Sequence, residues 1–216
     1  MMPLSFAKKR PFRLLCLGAH SDDIEIGCGG TVLRLLEEYP KTQVTWVVFG
    51  AGNPLRAAEA TTSARIFLRN AGGRDIIVKG FRDGYLPYTG VEVKDFFEVL
   101  KGKASPDLIL THYRSDLHQD HRLVCDLTWN TWRDHLIWEY EVPKYDGDLG
   151  TPNLYVNLSR QICRRKVGNI MRCFATQRSK RWFSRDLFEG LLRLRGIEAA
   201  GPLPFAEAFY ARKILL

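Results

Sequence analysis

Apolar and polar positions fall in blocks along this chain, and the blocks change period. Residues 12–19 (FRLLCLGA) are almost wholly apolar and predict a buried first strand. From Cys28 to Tyr39, Val32, Leu35, Leu36 and Tyr39 recur at helical spacing, and Pro40 ends that helix. QVTWVVFG (43–50) is β-branched and aromatic and predicts a second strand. Residues 55–70 predict a helix that stops at Asn70-Ala71-Gly72-Gly73. A short strand over Asp75–Val78 leads into the turn-rich loop GFRDGYLPYTG. Val93, Phe96, Phe97 and Leu100 mark a third helix, LILTH (108–112) a fourth strand, and about 121–133 a fourth helix. HLIWEYEVPKY and NLYVNLS predict two more strands around a turn at 146–150. Two basic helices (160–176 and 184–195) and the segment FAEAFYARK (205–213) complete the pattern. This alternation predicts an α/β fold: a doubly wound, mostly parallel, Rossmann-like sheet with a C-terminal α+β extension. No linker or repeat divides it, so one domain over 1–216 is expected.

Two predicted strands end in polar clusters. The first runs into His20, Ser21, Asp22 and Asp23, and the fourth into Thr111, His112 and then YRSDLHQDHR. In a parallel sheet those ends share one edge, the edge where open α/β folds place their sites. Residues 20–23 and 118–121 are therefore expected to converge. His20, one of Asp22/Asp23 and one of His118/His121 would supply the three protein ligands of a catalytic zinc site. Bound metal lowers the pKa of water toward about 7. A spare carboxylate can then act as general base and a spare histidine can stabilise an oxyanion. Such a set suits metal-assisted hydrolysis of an amide or ester. His/Asp ligation suits Zn2+ and also accommodates Fe2+ and other divalent cations.

Composition narrows the setting. At 216 residues the chain can bury one sizeable core. Its five cysteines are scattered, with no Cys-x-x-Cys, which argues against a disulfide framework and for a reducing compartment. The N-terminal MMPLSFAKKRPF has its basic residues after its short apolar part, the wrong order for a signal peptide. No apolar run reaches the roughly 18 residues of a membrane span, so a cytoplasmic protein is expected. The net charge of +8 is concentrated in residues 160–185, which hold nine Lys/Arg and no acid. That stretch is either the solvated face of a helix or an attractor for phosphate or another anionic group. No specific nucleic-acid partner is expected, and the oligomeric state is open. Trp129, Trp132 and Trp138 are read as core.

AHSDDIEIGCGGT (19–31) resembles the Ala-His-Pro-Asp-Asp-x-Glu-x-Gly-x-Gly-Gly-Thr motif of the PIG-L/LmbE-like N-deacetylases. HQDHR (118–122) resembles their second motif, His-Pro-Asp-His, in the right order, and the resemblance extends to the closing AEAF. It implies an LmbE-like fold and a zinc-dependent enzyme that removes the N-acetyl group from an N-acetylglucosamine-type conjugate. By the same resemblance His20, Asp23 and His121 are metal ligands and Asp22 is the base. His118 stabilises the tetrahedral intermediate and aids protonation of the leaving group, and Asp120 orients His118. Glu25 and glycines 27, 29 and 30 shape the turn into the helix. Arg56 and Asp83 fall at substrate-binding positions. Ser21 and Gln119 replace the usual prolines; neither position is a ligand. Some members carry a tyrosine just before the second motif, where Asp116 stands close by here, so no tyrosine role is carried over.

Other readings predict different behaviour. An O-acetyl esterase could use the same site, and a non-catalytic sugar-binding module could keep only the fold. A nucleotide-binding module is disfavoured: the glycines read Gly-x-Gly-Gly rather than Gly-x-Gly-x-x-Gly. Two carboxylates would also occupy the helix N-terminus where phosphate should bind.

Overall fold

The computed structural model describes residues 12–214. Along the chain run β1 (Arg13–Gly18), α1 (Asp23–Glu38), β2 (Gln43–Val48), α2 (Pro54–Phe67), β3 (Gly73–Val78), α3 (Gly90–Lys103), β4 (Leu108–His112) and α4 (Gln119–Thr131). Then follow β5 (Ile137–Tyr140), β6 (Leu154–Leu158), α5 (Arg160–Cys173), α6 (Arg185–Glu198) and β7 (Phe205–Ala211). The strands form one sheet in the order β3-β2-β1-β4-β5-β7-β6. The first five strands of that row are parallel, and β7 runs antiparallel to both neighbours. This is the doubly wound core with its C-terminal α+β extension.

Alternation along β1 divides the core between the two faces. Leu14 and Cys16 pack with α1, α2, α5 and α6, and Leu15 and Leu17 pack with α3 and α4. Trp129, Trp132 and Trp138 are buried among these layers. The strand order reverses at β1: β2 and β3 lie on one flank, and the chain then crosses through α3 to place β4 on the other. That switch opens a crevice beyond the carboxyl ends of β1 and β4.

The first helix begins at Asp23, five residues before the apolar spacing places it. Glycines 27, 29 and 30 are thus inside the helix and do not form a turn leading into it. They are contact points, because a Cβ would penetrate the Tyr140 ring at Gly27 and come 2.7 Å from Phe67 at Gly29. At Gly30 the missing side chain admits the carboxylate of Glu207, which accepts from the N–H groups of Gly30 (2.7 Å) and Thr31 (2.6 Å). Lys166 completes this clamp on the middle of α1, bonding Glu207 and the Ile26 carbonyl at 2.6 Å each. Lys166 therefore leaves the basic 160–185 surface and sits in the core. Arg165 pairs with Glu37 and Arg185 with Glu189. Arg160, Arg164, Arg172, Lys180 and Arg181 are exposed. α5 ends at Cys173, short of residue 176, and a 3-10 turn (Ala175–Gln177) follows.

The five cysteines are free thiols. No described helix is long and apolar enough to cross a membrane. The N-terminal segment examined for a signal peptide lies outside the described residues, apart from Phe12.

Candidate metal centre

β1 delivers His20 to the crevice, and the start of α1 turns Asp22 and Asp23 in beside it. α4 begins at the same edge, with His118 as its N-cap and Asp120 and His121 in its first turn. The short helical start matters here, since it fixes carboxylates where the helix end favours negative charge.

Three donor atoms form a compact triangle. His20 Nδ1 lies 3.1 Å from His121 Nε2 and 3.3 Å from Asp23 Oδ2, and His121 Nε2 lies 3.4 Å from Asp23 Oδ2. A tetrahedron with metal–ligand bonds of about 2.0–2.1 Å has edges of about 3.3 Å, so this spacing fits a four-coordinate divalent cation. The opposite ring nitrogens are also held as such ligands require. His20 Nε2 faces Asp120 Oδ2 at 3.1 Å and Asp83 Oδ1 at 3.2 Å, and His121 Nδ1 faces Asp116 Oδ2 at 2.9 Å. Other His/Asp groupings capable of holding an ion share His20 or His121.

Asp120 differs from its expected role. Its side chain does not orient His118; it spans His20 and the N–H groups of Gly84 (2.8 Å) and Leu86 (3.2 Å). It ties the loop after β3 to the first motif. His118 is oriented instead by its own helix start, because its Nδ1 accepts the Asp120 N–H at 3.2 Å. In the neutral ring the hydrogen is then on Nε2. Its ring centroid lies 4.7 Å from that of His20.

Asp22 is buried, and only one of its oxygens is engaged: Oδ1 takes Arg56 Nη2 at 2.6 Å, while Oδ2 has no hydrogen-bond partner. Arg56 also reaches Glu59 (3.1 Å) and Thr176 (3.3 Å). It therefore anchors Asp22 as well as lining a cleft. That cleft, of about 360 Å³, is bounded by Gly50, Gly52, Asn53, Arg56, Arg82 and Asp83, among others. Gly50 sits under it because a Cβ there would meet the Ala19 carbonyl at 2.8 Å.

Charge is sorted strongly at the site. Burial alone would raise the Asp23 carboxyl, but His121, His20 and His112 around it hold it well below the ordinary carboxylate range. Burial raises Asp22; Arg56 pulls it back, Asp23 pushes it up again, and the net is upward. Burial, then His20 and His121, lower His118, which favours its neutral form.

His112 is the main residue that sequence reasoning left without a role. It is fully buried, accepts the Ala19 N–H through Nε2 at 2.9 Å, lies 3.3 Å from Asp23 Oδ2 and stacks on His121 at 3.9 Å. Burial and His121 lower it to about 4, so it is a neutral wall behind Asp23. Its place at the end of β4, six residues before His118, was the available signal. Asp116 was also left without a role, and here it holds His121.

The same doubly wound fold is found in solved structures of deacetylases. N,N'-diacetylchitobiose deacetylase from Pyrococcus horikoshii superposes with a TM-score of 0.68 at 21% identity, over 95% of this chain and 87% of that one. The zinc-inhibited form of teicoplanin deacetylase Orf2 gives 0.72 at 15%, over 93% and 97%. The hydratase GalB from Pseudomonas putida KT2440, which acts on 4-carboxy-2-hydroxymuconate, gives 0.71 at 15%, over 95% and 98%. At these identities the likeness is one of fold, and the hydratase shows that the fold alone does not set the reaction. The family model PIG-L (GlcNAc-PI de-N-acetylase) matches residues 15–132, and the chain belongs to that family.

Proposed function

We propose that this protein is a divalent-metal-dependent N-deacetylase acting on an N-acetylated amino sugar, releasing acetate and a free amine. The observation that carries the reading is the His20–Asp23–His121 triangle with the partnerless Asp22 Oδ2 in the adjoining residue. His20, Asp23 and His121 would hold the cation, with Zn2+ the best match to two imidazoles and one carboxylate. When bound, it supplies Lewis acidity and a water acidified toward neutral pH. Asp22 takes the proton from the attacking water through Oδ2, while Arg56 fixes the other oxygen. Burial holds the Asp22 carboxyl above the ordinary carboxylate range against the pull of Arg56. His118 offers its Nε2–H to the oxygen that becomes negative as the carbonyl is attacked. The proton held on Asp22 then passes to the departing amine. Arg56 and Asp83, which both line the cleft, contact the substrate, Asp83 through sugar hydroxyls.

The test is acetate release from matched N-acetyl and O-acetyl glucosamine derivatives, before and after chelation and with zinc or ferrous iron restored. The proposal expects release from the N-acetyl compound, loss of most of it on chelation, and recovery with metal. Release from the O-acetyl compound alone would assign the site to an esterase. Turnover indifferent to metal would overturn the mechanism.

A further inference from the structure

His121 is held from behind by a chain of charged groups that ends in a distant loop. Asp116 spends both oxygens on the second motif: Oδ1 accepts the His118 N–H at 2.7 Å, and Oδ2 faces His121 Nδ1 at 2.9 Å. An ionised carboxylate can only accept, so the ring hydrogen is on Nδ1 and the lone pair of Nε2 faces the donor triangle. Lys144 Nζ bonds the same Asp116 Oδ2 at 2.9 Å. It also bonds Asp148 and lies 3.4 Å from the Val142 carbonyl, so each of its three protons has an acceptor. Asp148 in turn accepts the Leu117 N–H at 2.7 Å, one residue before His118. This cluster is dry: the side chains of Lys144, Asp116 and Asp148 are 10%, 3% and 5% exposed.

Two buried carboxylates therefore meet on one ammonium, and each holds part of the turn into α4. Without the ammonium two like charges would face each other with little water to screen them. Asp116 cannot move to relieve that repulsion without releasing His121 Nδ1 or the His118 N–H. Lys144 and Asp148 both belong to the loop 141–150, which follows β5, and Arg195 fastens that loop at both ends. Its guanidinium takes Glu141 through two bonds (2.7 and 2.9 Å) and the Gly150 carbonyl at 3.1 Å. We propose that Lys144 is a positioning residue of the metal centre: it fixes the Asp116 carboxylate that aims His121 at the cation. The loop after β5 then sets the affinity and geometry of a site whose ligands come from two motifs elsewhere in the chain. This rests on the metal-centre reading above.

The experiment measures zinc affinity by competition with a chromophoric chelator and records the visible spectrum of the Co2+-loaded protein. It compares wild type, Lys144→Met, Lys144→Arg, Asp116→Asn and the double variant Lys144→Met with Asp116→Asn, with thermal melts to establish folding. Groups that orient a metal-binding histidine are typically worth 10–100-fold in metal affinity. Lys144→Met is expected to weaken zinc binding about tenfold and to alter the Co2+ bands, and Lys144→Arg, which keeps the charge, to restore most of both. In the Asp116→Asn background Lys144→Met should add little, because the two residues act in series. Should Lys144→Met fail to fold, Lys144→Met with Asp148→Asn leaves one fewer unpaired carboxylate and carries the same expected loss. Wild-type affinity and spectrum in the folded Lys144→Met protein would overturn the proposal and leave the metal reading in place. A full tenfold loss in the Asp116→Asn background would show that Lys144 acts by another route and would also overturn it. Neither zinc nor cobalt bound by wild type would overturn the metal reading and this proposal with it.

Discussion

Asp22→Asn is expected to lower kcat for acetate release by about 10³-fold, within the range that removal of a general base costs, while the protein keeps its metal. The two effects separate because Asp22 and Asp23, though adjacent, have different surroundings. Asp23 Oδ2 sits among ring nitrogens of His20, His112 and His121. Asp22 faces Arg56 with one oxygen and keeps the other without a partner. The amide of Asn is almost the same size but cannot take a proton at neutral pH, and its oxygen can still accept from Arg56. Arg56→Met should fall between wild type and Asp22→Asn, since it removes the anchor and leaves the base. Single-turnover kinetics beside elemental analysis checks both. Full activity in Asp22→Asn would remove the base assignment, and loss of metal would move Asp22 into the ligand set.

Glu207→Ala is expected to destabilise the fold by about 3–5 kcal/mol, the usual cost of breaking a buried ion pair from one side. At this chain length that corresponds to a fall in Tm of roughly 10 °C. Lys166 and Glu207 are both almost fully buried, and the carboxylate also satisfies two N–H groups of α1. Removing it strands an ammonium in the core beside the Ile26 carbonyl. Replacing both partners, as in Lys166→Met with Glu207→Leu, should recover part of the loss, because no unpaired charge is left behind. Recovery will be incomplete, since the Gly30 and Thr31 N–H groups still lose their acceptor. Thermal unfolding of the two variants decides the matter; equal melting temperatures for wild type and Glu207→Ala would show that the clamp contributes nothing. The clamp matters to function because α1 carries Asp22 and Asp23 at its front end.

The parallel core was legible because its signals are local. An apolar strand, an abrupt polar end and a helical period can each be read within about ten residues, and two such strand ends predict a shared edge. All eight site positions named from the sequence do lie at that edge: His20, Asp22, Asp23, Arg56, Asp83, His118, Asp120 and His121. Their pairings were less legible. Asp120 was assigned to its sequence neighbour His118, yet its carboxylate meets His20, a hundred residues away. Arg56 was read as a substrate contact, and whether it also holds Asp22 depends on how α2 packs beside α1. Lys166 was counted with the basic surface because charge runs do not reveal which member has a buried partner, and Glu207 lies 41 residues further on. The start of α1 was misplaced for a related reason. Glycine lowers helix propensity, and only the packed neighbours Tyr140, Phe67 and Glu207 explain why three of them stand in this helix.

If the two motifs meet at one metal, His121→Ala must lose that metal, and elemental analysis of wild type beside the variant measures it. Both proteins would be refolded or dialysed with zinc and then freed of loosely held ion. Wild type is expected to hold about one equivalent of zinc per chain, as a three-ligand site does, and the variant little. Zinc retained equally in His121→Ala, or none held by wild type, would contradict it.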